Sequence, residues 1–189
     1  MVGARRNRRG RRRSLSEQEI LGAAFDLLAE RGADGVTLRG VAARVGIAPN
    51  AVYTYFPDKA TIVRGLVELL LSKVDHGRFT DRTLPWRERI RAFALDLRAE
   101  LLVHPGAVHL LLASSPTGPN AKAVGDTVLG ILADAGLDPE DAARAAQLLN
   151  VHILGSVALE ATDHQPIDPA QFLWGLDRLF DGLTTHTTT

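Results

Sequence analysis

The stretch that decides the fold is residues 37–59, TLRGVAARVGIAPNAVYTYFPDK. Its first half repeats apolar residues from Leu38 at the i, i+3, i+4, i+7 spacing of one helix face, after Thr37 as N-cap. Gly46 supplies a positive-φ stop, and Pro49 suits the first turn of a further helix. Two helices joined by a tight turn within about twenty residues are typical of a helix-turn-helix.

The second of these helices, residues 49–55, is short and exposes polar groups. Val52 and Phe56 lie four residues apart and are expected to anchor it to the preceding helices. The other positions carry a carboxamide, a hydroxyl and two phenols, which suit phosphates and base edges. These residues are Asn50, Tyr53, Thr54 and Tyr55. The alternative is that both tyrosines are half-buried packing residues, since tyrosine is intermediate in burial.

A lysine opens the next predicted helix, which Asp58 caps and which ends near Val74. Lys59 stands at the positive end of the helix dipole, where a cation is disfavoured by ~0.3–1 kcal/mol. A phosphate bound there would be held by free backbone N–H groups together with the lysine ammonium. The alternative is a solvated lysine. Position, charge and neighbours together favour a phosphate contact.

The charges are segregated along the chain, although the formal net charge is zero. Residues 1–59 hold 11 basic and 6 acidic side chains, whereas the remaining residues hold 11 basic and 16 acidic ones. Seven arginines lie within residues 1–13, a segment with too few apolar side chains to form a core. A basic end on an acidic body indicates a polyanion bound at one end, nucleic acid being the leading candidate. The alternative is that this arm is only a solvating tail.

The rest of the chain keeps a helical apolar pattern, with no β-type alternation of useful length and no internal repeat. The predicted fold is therefore all-α. We expect a disordered Arg-rich arm at 1–15 and a helix-turn-helix DNA-binding domain at 16–60. A helical effector-binding and dimerisation domain at 61–183 and a frayed tail at 184–189 follow.

Composition argues against several other classes of protein. The chain has no cysteine, so it has no disulfide and no thiolate metal site. No apolar run approaches the ~20 residues needed to cross a membrane, and the basic N-terminus lacks the apolar segment of a signal peptide. We therefore expect a cytoplasmic protein with no membrane partner.

Segments 35–39, 41–42, 45–47 and above all 52–59 resemble the DNA-binding domain of TetR/AcrR-family regulators. The resemblance covers about residues 16–70. It implies a homodimer that places two such short helices in successive major grooves of double-stranded operator DNA. With Thr37 and Thr54 added to the residues that the resemblance assigns, the predicted DNA-binding set is Thr37, Arg39, Pro49, Asn50, Ala51, Tyr53, Thr54, Tyr55 and Lys59.

The resemblance also implies roles within this set. Arg39 would contact bases or the DNA backbone. Pro49, Asn50 and Ala51 would face base edges. Tyr53 and Tyr55 would bind phosphate or nearby bases, and Lys59 would bind phosphate. Gly40 departs from the longer residue frequent at its position in the family, and Ala48 adds no hydrogen-bonding group. Direct readout is therefore expected to rest on Arg39, Asn50 and Thr54, with the arm adding minor-groove and phosphate contacts.

The C-terminal half resembles the tetracycline-repressor branch through residues 101–104, 106–109, 132–136 and 152–157. In that branch two helices from each subunit form a four-helix dimer interface, and a histidine and an acidic residue help bind a magnesium–drug complex. His109 stands near the position of that histidine, but its spacing from His104 is two residues shorter, and Glu160 is one place off. We therefore predict no metal site and no cofactor.

Polar side chains among apolar neighbours in this half are either satisfied core groups or groups that orient a ligand in an apolar pocket. The predicted pocket set is Phe93, Leu97, His104, His109, Leu112, Asn150 and His152. Two apolar stripes, one on each of the last two predicted helices, belong either to the core or to a subunit interface. Gly155 permits close approach of a second helix, which favours the interface. The predicted interface set is Leu148, Val151, Gly155, Leu159, Phe172, Leu176, Leu179 and Phe180. Trp86 and Trp174 are interpreted as packing residues.

The sequence thus predicts a DNA-binding transcription regulator, a homodimeric repressor released from a palindromic operator by a small-molecule effector. The alternative is a nonspecific nucleic-acid-binding protein dominated by its Arg-rich arm. An enzyme built on His104, His109 and either Glu160 or Asp163 is disfavoured. The sequence has no nucleophile motif, no phosphate loop and no H-E-x-x-H pair.

Overall fold

The computed structural model of the chain describes residues 15–113, 117–163 and 168–184. Over these ranges it consists of helices and loops without a strand, which confirms the all-α prediction. The helices are α1 (Glu17–Gly35), α2 (Leu38–Val45), α3 (Pro49–Tyr55), α4 (Lys59–Lys73), α5 (Gly77–Thr80), α6 (Trp86–Val103), α7 (Gly106–Ala113), α8 (Pro119–Asp134), α9 (Pro139–Asp163) and α10 (Pro169–Thr184).

α1 begins with a capping box. The Ser16 hydroxyl accepts the Glu19 N–H at 3.2 Å, and the Glu19 carboxylate accepts the Ser16 N–H at 3.1 Å. Two amides at the helix start are thereby satisfied. Gly32 has a φ of 68° and kinks the chain, which then continues as one more turn to Gly35.

The turn between α2 and α3 depends on Gly46, whose φ of 76° is left-handed. The Ile47 N–H donates to the Ala42 carbonyl at 3.0 Å and closes the turn. Val52 and Phe56 are 0% and 4% exposed. This confirms that they anchor α3 to the helices behind it.

α4 joins the first three helices to the rest of the molecule. Asp58 caps it by accepting the Thr61 N–H at 2.7 Å and the Thr61 hydroxyl at 2.8 Å. These hydrogen bonds hold the pKa of Asp58 below its ordinary value of 3.8. α4 packs against α1 and also against α6, α7 and α8. Its buried residues therefore belong to one hydrophobic core together with those of the first three helices and those of the later helices.

The larger core lies among α4 and α6 to α10. The short helix α5, which no apolar periodicity predicts, inserts Phe79 into it, where that ring stacks on Phe93 with centroids 4.5 Å apart. Arg98 on α6 and Glu160 on α9 form a largely buried salt bridge of 2.7 Å. Because a buried charge left alone is strongly destabilising, this pair fixes how α6 and α9 lie on each other.

The predicted arm up to residue 14 and the tail after residue 184 lie outside the described residues. None of the helices in the described ranges combines the length and the apolar character that crossing a membrane requires.

Candidate nucleic-acid interface and cavity

α3 presents a polar face opposite its buried anchors. Pro49, Asn50 and Thr54 are exposed, and Tyr53 is 46% exposed. Ala51 is half-buried. Because α2 packs directly on α3, the two helices form one surface.

The two tyrosines of α3 differ in their partners. The Tyr55 hydroxyl donates to the carbonyl of Leu15 at 2.8 Å, across forty positions of the chain. Its one proton is therefore used inside the protein, and binding a phosphate through it requires this bond to break. The Tyr53 hydroxyl has no partner among the residues that the structure describes, so its proton is free for an acceptor.

The two threonines of the predicted set are both engaged in their own helices. The Thr54 hydroxyl donates to the Asn50 carbonyl at 3.2 Å, so its oxygen is left to accept a hydrogen bond from outside. Thr37 caps α2, since its side-chain oxygen accepts the Gly40 N–H at 3.0 Å. That hydroxyl keeps its own proton, so Thr37 suits an acceptor such as phosphate.

The two arginines of α2 have different surroundings. Arg44 forms an ion pair with Glu30 on α1. Arg39 is exposed and has no acidic partner within the described ranges. Of the two, Arg39 is the one whose guanidinium is available for DNA.

Lys59 is exposed at the start of α4 and donates to the carbonyl of Ala33 at 3.0 Å. This contact compensates part of the unfavourable position of a cation at the positive end of the helix dipole. An ammonium group has three protons, so two remain for a second acceptor. The contact also ties α4 to the end of α1.

A cavity of about 430 Å³ lies in the C-terminal half, between α4 and α6 to α9. Three predicted pocket residues line it: Phe93, Leu97 and Asn150. The full lining is Leu71, Ile90, Phe93, Leu97, Leu111, Ala121, Val124, Gly125, Val128, Leu129, Ala143, Ala146, Gln147, Leu149, Asn150, Ile153 and Leu154. Sequence reasoning missed Gln147, although it lies three residues before Asn150 and so shares its helix face.

Four predicted pocket residues lie outside this cavity. His109 and Leu112 are exposed on α7. His152 contacts the carbonyl of Phe172 through Nε2 at 3.1 Å and stacks on that ring, which places it between α9 and α10. His104 is the fourth. Apolar neighbours in the sequence do not distinguish a cavity wall from a helix–helix contact, and this is why the prediction included residues that do not line this cavity.

His104 ends α6 and contacts α1. Its ring packs on Phe25 of α1, with centroids 4.8 Å apart, and its Nε2 lies 3.3 Å from the Lys73 ammonium. Because an ammonium group only donates, Nε2 acts as the acceptor of a neutral imidazole. Burial, and after it the charge of Lys73, lowers the pKa of His104 below its ordinary value of 6.5, against an opposing effect of Glu100.

The predicted interface set divides into two groups. Phe172, Leu176 and Phe180 are buried in the core of this chain, so their assignment to a subunit interface was wrong. Leu179 is half-buried against the same core. On α9, by contrast, Leu148, Val151 and Leu159 are more than half exposed, with Gly155 half-buried among them.

α10 adds a large apolar residue to the surface. Trp174, interpreted from the sequence as a packing residue, is 65% exposed. Trp86, in contrast, packs edge-on against Phe180 with centroids 5.0 Å apart. We call Leu148, Val151, Leu159 and Trp174 the α9–α10 face.

The family model for bacterial regulatory proteins of the tetR family matches residues 20–66, and that for the tetracyclin repressor-like C-terminal domain matches residues 81–171. The tetracycline repressor protein class E of Escherichia coli is 30% identical over 151 residues, which cover 80% of this chain and 71% of that protein. The chain belongs to the TetR family.

Solved structures of TetR-family proteins have the same architecture. A TetR variant from Acinetobacter baumannii AYE in complex with minocycline is 28% identical, with a TM-score of 0.81 over 93% of this chain and 99% of that one. BioQ with its natural double-stranded DNA operator is 27% identical, with a TM-score of 0.77 over 91% of this chain and 99% of BioQ. As a TetR-family member, the chain is a DNA-binding transcriptional regulator.

The residues compared with the magnesium–drug ligands of the tetracycline-repressor branch do not fit a divalent cation. The Glu160 carboxylate is paired with Arg98, and His109 is exposed away from the cavity. Within the described ranges no group of three or more histidines and carboxylates could hold a metal ion.

Proposed function

We propose that the protein is a homodimeric repressor that binds a palindromic operator through α2 and α3 and releases it when a small molecule enters the cavity. The observation that carries the proposal is the two-sided character of α3. Val52 and Phe56 are buried behind it, while Asn50 and Tyr53 project from its open face. A short helix fixed in this way suits insertion into a major groove.

We assign the DNA contacts by the groups left free. Arg39 and Asn50 are assigned to base edges, because these side chains pair with guanine and adenine respectively. Tyr53 and Lys59 are assigned to phosphate, since each has protons to donate. The family resemblance implies that Tyr55 also binds phosphate or nearby bases, and we propose instead that it holds the start of α1 against α3.

The remaining residues of the predicted set have smaller roles in this proposal. Thr37 donates to phosphate from its position as the cap of α2. Thr54 accepts from a base amino group. Pro49 and Ala51 offer only van der Waals contact, such as that with a thymine methyl group.

We propose that a second copy of the chain covers the α9–α10 face. Its members are large apolar side chains, and a cluster of exposed apolar residues marks an interaction site. Gly155 lies among them on α9, and a Cβ there would meet nothing within 4 Å, so a partner helix can approach closely. Membership of the TetR family supports this assignment.

We propose that the effector is a neutral, mainly apolar molecule bound without a metal. Gln147 and Asn150 are the only polar side chains among the described residues that line the cavity, and none of these is charged. A charged ligand would lose its hydration without gaining an ionic partner. The two carboxamides have no hydrogen-bond partner in the described part of the chain, so they are free to orient a ligand.

We propose no catalytic activity. The residues that an enzyme would have used are committed elsewhere: His104 to the α1 contact and Glu160 to Arg98. This fits relatives that are transcriptional regulators.

Selection of bound duplexes from a random DNA pool tests the DNA-binding part of the proposal. We expect a palindrome whose half-sites are about one helical turn apart, bound at least roughly a thousandfold more tightly than random duplex. Enrichment of no sequence at moderate salt would instead support a nonspecific nucleic-acid-binding protein.

Matched pairs of aromatic compounds, each as methyl ester and as free acid, test the effector part. We expect only esters to raise the melting temperature, equally with and without EDTA, and the rise to be smaller in Asn150→Leu. Gln171→Leu, which changes an exposed carboxamide outside the cavity, is the control. Equal shifts by the acids, or a requirement for magnesium, would contradict a neutral, metal-free ligand.

A further inference from the structure

Glu68 on α4 caps the start of α8. Its carboxylate oxygens accept the backbone N–H groups of Asn120 at 2.7 Å and of Ala121 at 3.0 Å. The Asn120 side-chain amide donates in return to the Glu68 carbonyl at 3.1 Å. Pro119 before them has no N–H. One carboxylate therefore satisfies the free amides of the first three positions of α8.

The backbone of Gly118 lies directly against this side chain. A Cβ at Gly118 would come within 2.2 Å of Glu68 Cδ, so any other residue would displace the carboxylate. Glu68, Gly118, Asn120 and Ala121 together form the contact that we call the Glu68 clasp.

The Glu68 clasp lies between the cavity and the DNA-binding helices. Ala121 itself lines the cavity, as do Val124 and Gly125 one turn further along α8. On the other side, α4 packs on α1 and places Gly65 against the Leu21 side chain, where a Cβ would lie 2.7 Å from Leu21 Cδ2. A displacement of α4 therefore reaches α1.

We propose that the Glu68 clasp transmits occupancy of the cavity to the DNA-binding helices, which rests on the proposed function because it requires the cavity to be the effector site. A molecule in the cavity displaces the first turn of α8. The Glu68 carboxylate follows the two N–H groups that it accepts, and α4 shifts against α1. The differential affinity of the effector for the two arrangements sets the size of the response.

Gly125→Leu tests the clasp without a known effector. Gly125 lines the cavity and a Cβ there meets nothing within 4 Å, so a leucine side chain occupies part of the cavity from α8. Amide hydrogen exchange in the free protein, followed by NMR, reports on α4 and α8 separately. We expect this change to raise exchange of interior α4 amides at least about fivefold. In a Glu68→Ala background we expect Gly125→Leu still to change amide exchange in α8 but no longer to change it in α4.

Gly118→Ala reaches the same contact from α8, since its Cβ displaces the carboxylate. It should abolish the α4 response as Glu68→Ala does, and keeps the test informative if one variant folds poorly. In both variants the amides of Asn120 and Ala121 should exchange roughly tenfold faster or more than in the unmodified protein.

Two changes on α8 serve as matched controls. Gly130→Leu makes the same substitution at a position outside the cavity, and Asp126→Asn removes an exposed carboxylate that pairs with Lys122. Neither should alter exchange in α4.

Unchanged α4 exchange in Gly125→Leu, or an equal rise with and without Glu68, would overturn the role of the clasp. The readout uses neither DNA nor ligand. A protein that showed this coupling but bound no operator would contradict the proposed function and leave the Glu68 clasp standing.

Discussion

Tyr53 and Tyr55 stand two residues apart on α3, and their hydroxyl groups have different surroundings. The Tyr55 hydroxyl connects α3 with the residue that precedes the cap of α1, whereas Tyr53 is open to solvent. The sequence pattern treats them alike, because both are phenols on a helix of two turns. The two residues differ only because Tyr55 donates to the Leu15 carbonyl, which engages Tyr55 within the protein and leaves Tyr53 free for DNA.

Replacing each tyrosine by phenylalanine distinguishes these two roles. Tyr53→Phe should weaken operator binding about tenfold and leave stability unchanged, because a hydrogen bond to a charged group is lost only in the complex. Tyr55→Phe should lower the free energy of unfolding by about 1 kcal/mol. Gel shift and urea unfolding measure the two effects. A reversed pattern would show that the assignment of these hydroxyls is wrong.

His104 predicts a pH dependence of stability. Burial and the Lys73 charge lower its pKa in the folded protein, so below the ordinary value of 6.5 the unfolded chain takes up a proton that the folded protein does not. Stability should therefore fall as pH decreases through and below that value. Melting curves between about pH 7.5 and about pH 5.5 measure this. His104→Gln should flatten the dependence, and His109→Gln, an exposed control, should not.

Among the helices, α9 and α10 show that an apolar stripe does not by itself reveal which surface covers it. Phe172, Leu176 and Phe180 face their own core, while Trp174 on the same helix faces outward. Helical periodicity says which residues share a face, but not whether that face meets its own domain or a second copy. On α9, by contrast, Leu148, Val151 and Leu159 face outward, and we propose that a second copy covers them.

A charge on the α9–α10 face should prevent dimer formation. Leu159→Glu places a carboxylate where the proposed interface is apolar, and burying it without a partner weakens the dimer by roughly a hundredfold or more. Sedimentation at micromolar concentration measures the mass. Leu112→Glu makes the same change at an exposed position on α7 and should leave the dimer intact. Equal masses for both variants would place the interface elsewhere.

Features fixed by local chemistry were predictable, and features fixed by packing between distant segments were not. The caps Thr37 and Asp58 and the stop at Gly46 follow from single residues whose preferences are strong, so α2 to α4 were placed correctly in kind. The Glu68 clasp joins positions more than fifty residues apart, and nothing in either segment alone indicates its partner.

At the scale of the whole molecule, the proposal connects one surface, one interface and one cavity. The surface of α2 and α3 and the basic N-terminal segment of the sequence are at one end of the chain, and the cavity and the α9–α10 face belong to the other. α4 packs on both parts. The two α3 helices of the proposed dimer can fit one operator only if the dimer fixes their separation. The spacing between the half-sites therefore tests the proposed function most strictly.

The most direct measurement of this claim is a titration of the selected palindrome with its half-sites moved apart. Inserting about five base pairs turns one half-site to the opposite side of the duplex, so a rigid dimer can occupy only one at a time. We predict two protomers per native palindrome and an affinity at least roughly a hundredfold lower after the insertion. Equal affinity for both duplexes would contradict a dimer that holds its two α3 helices one helical turn apart.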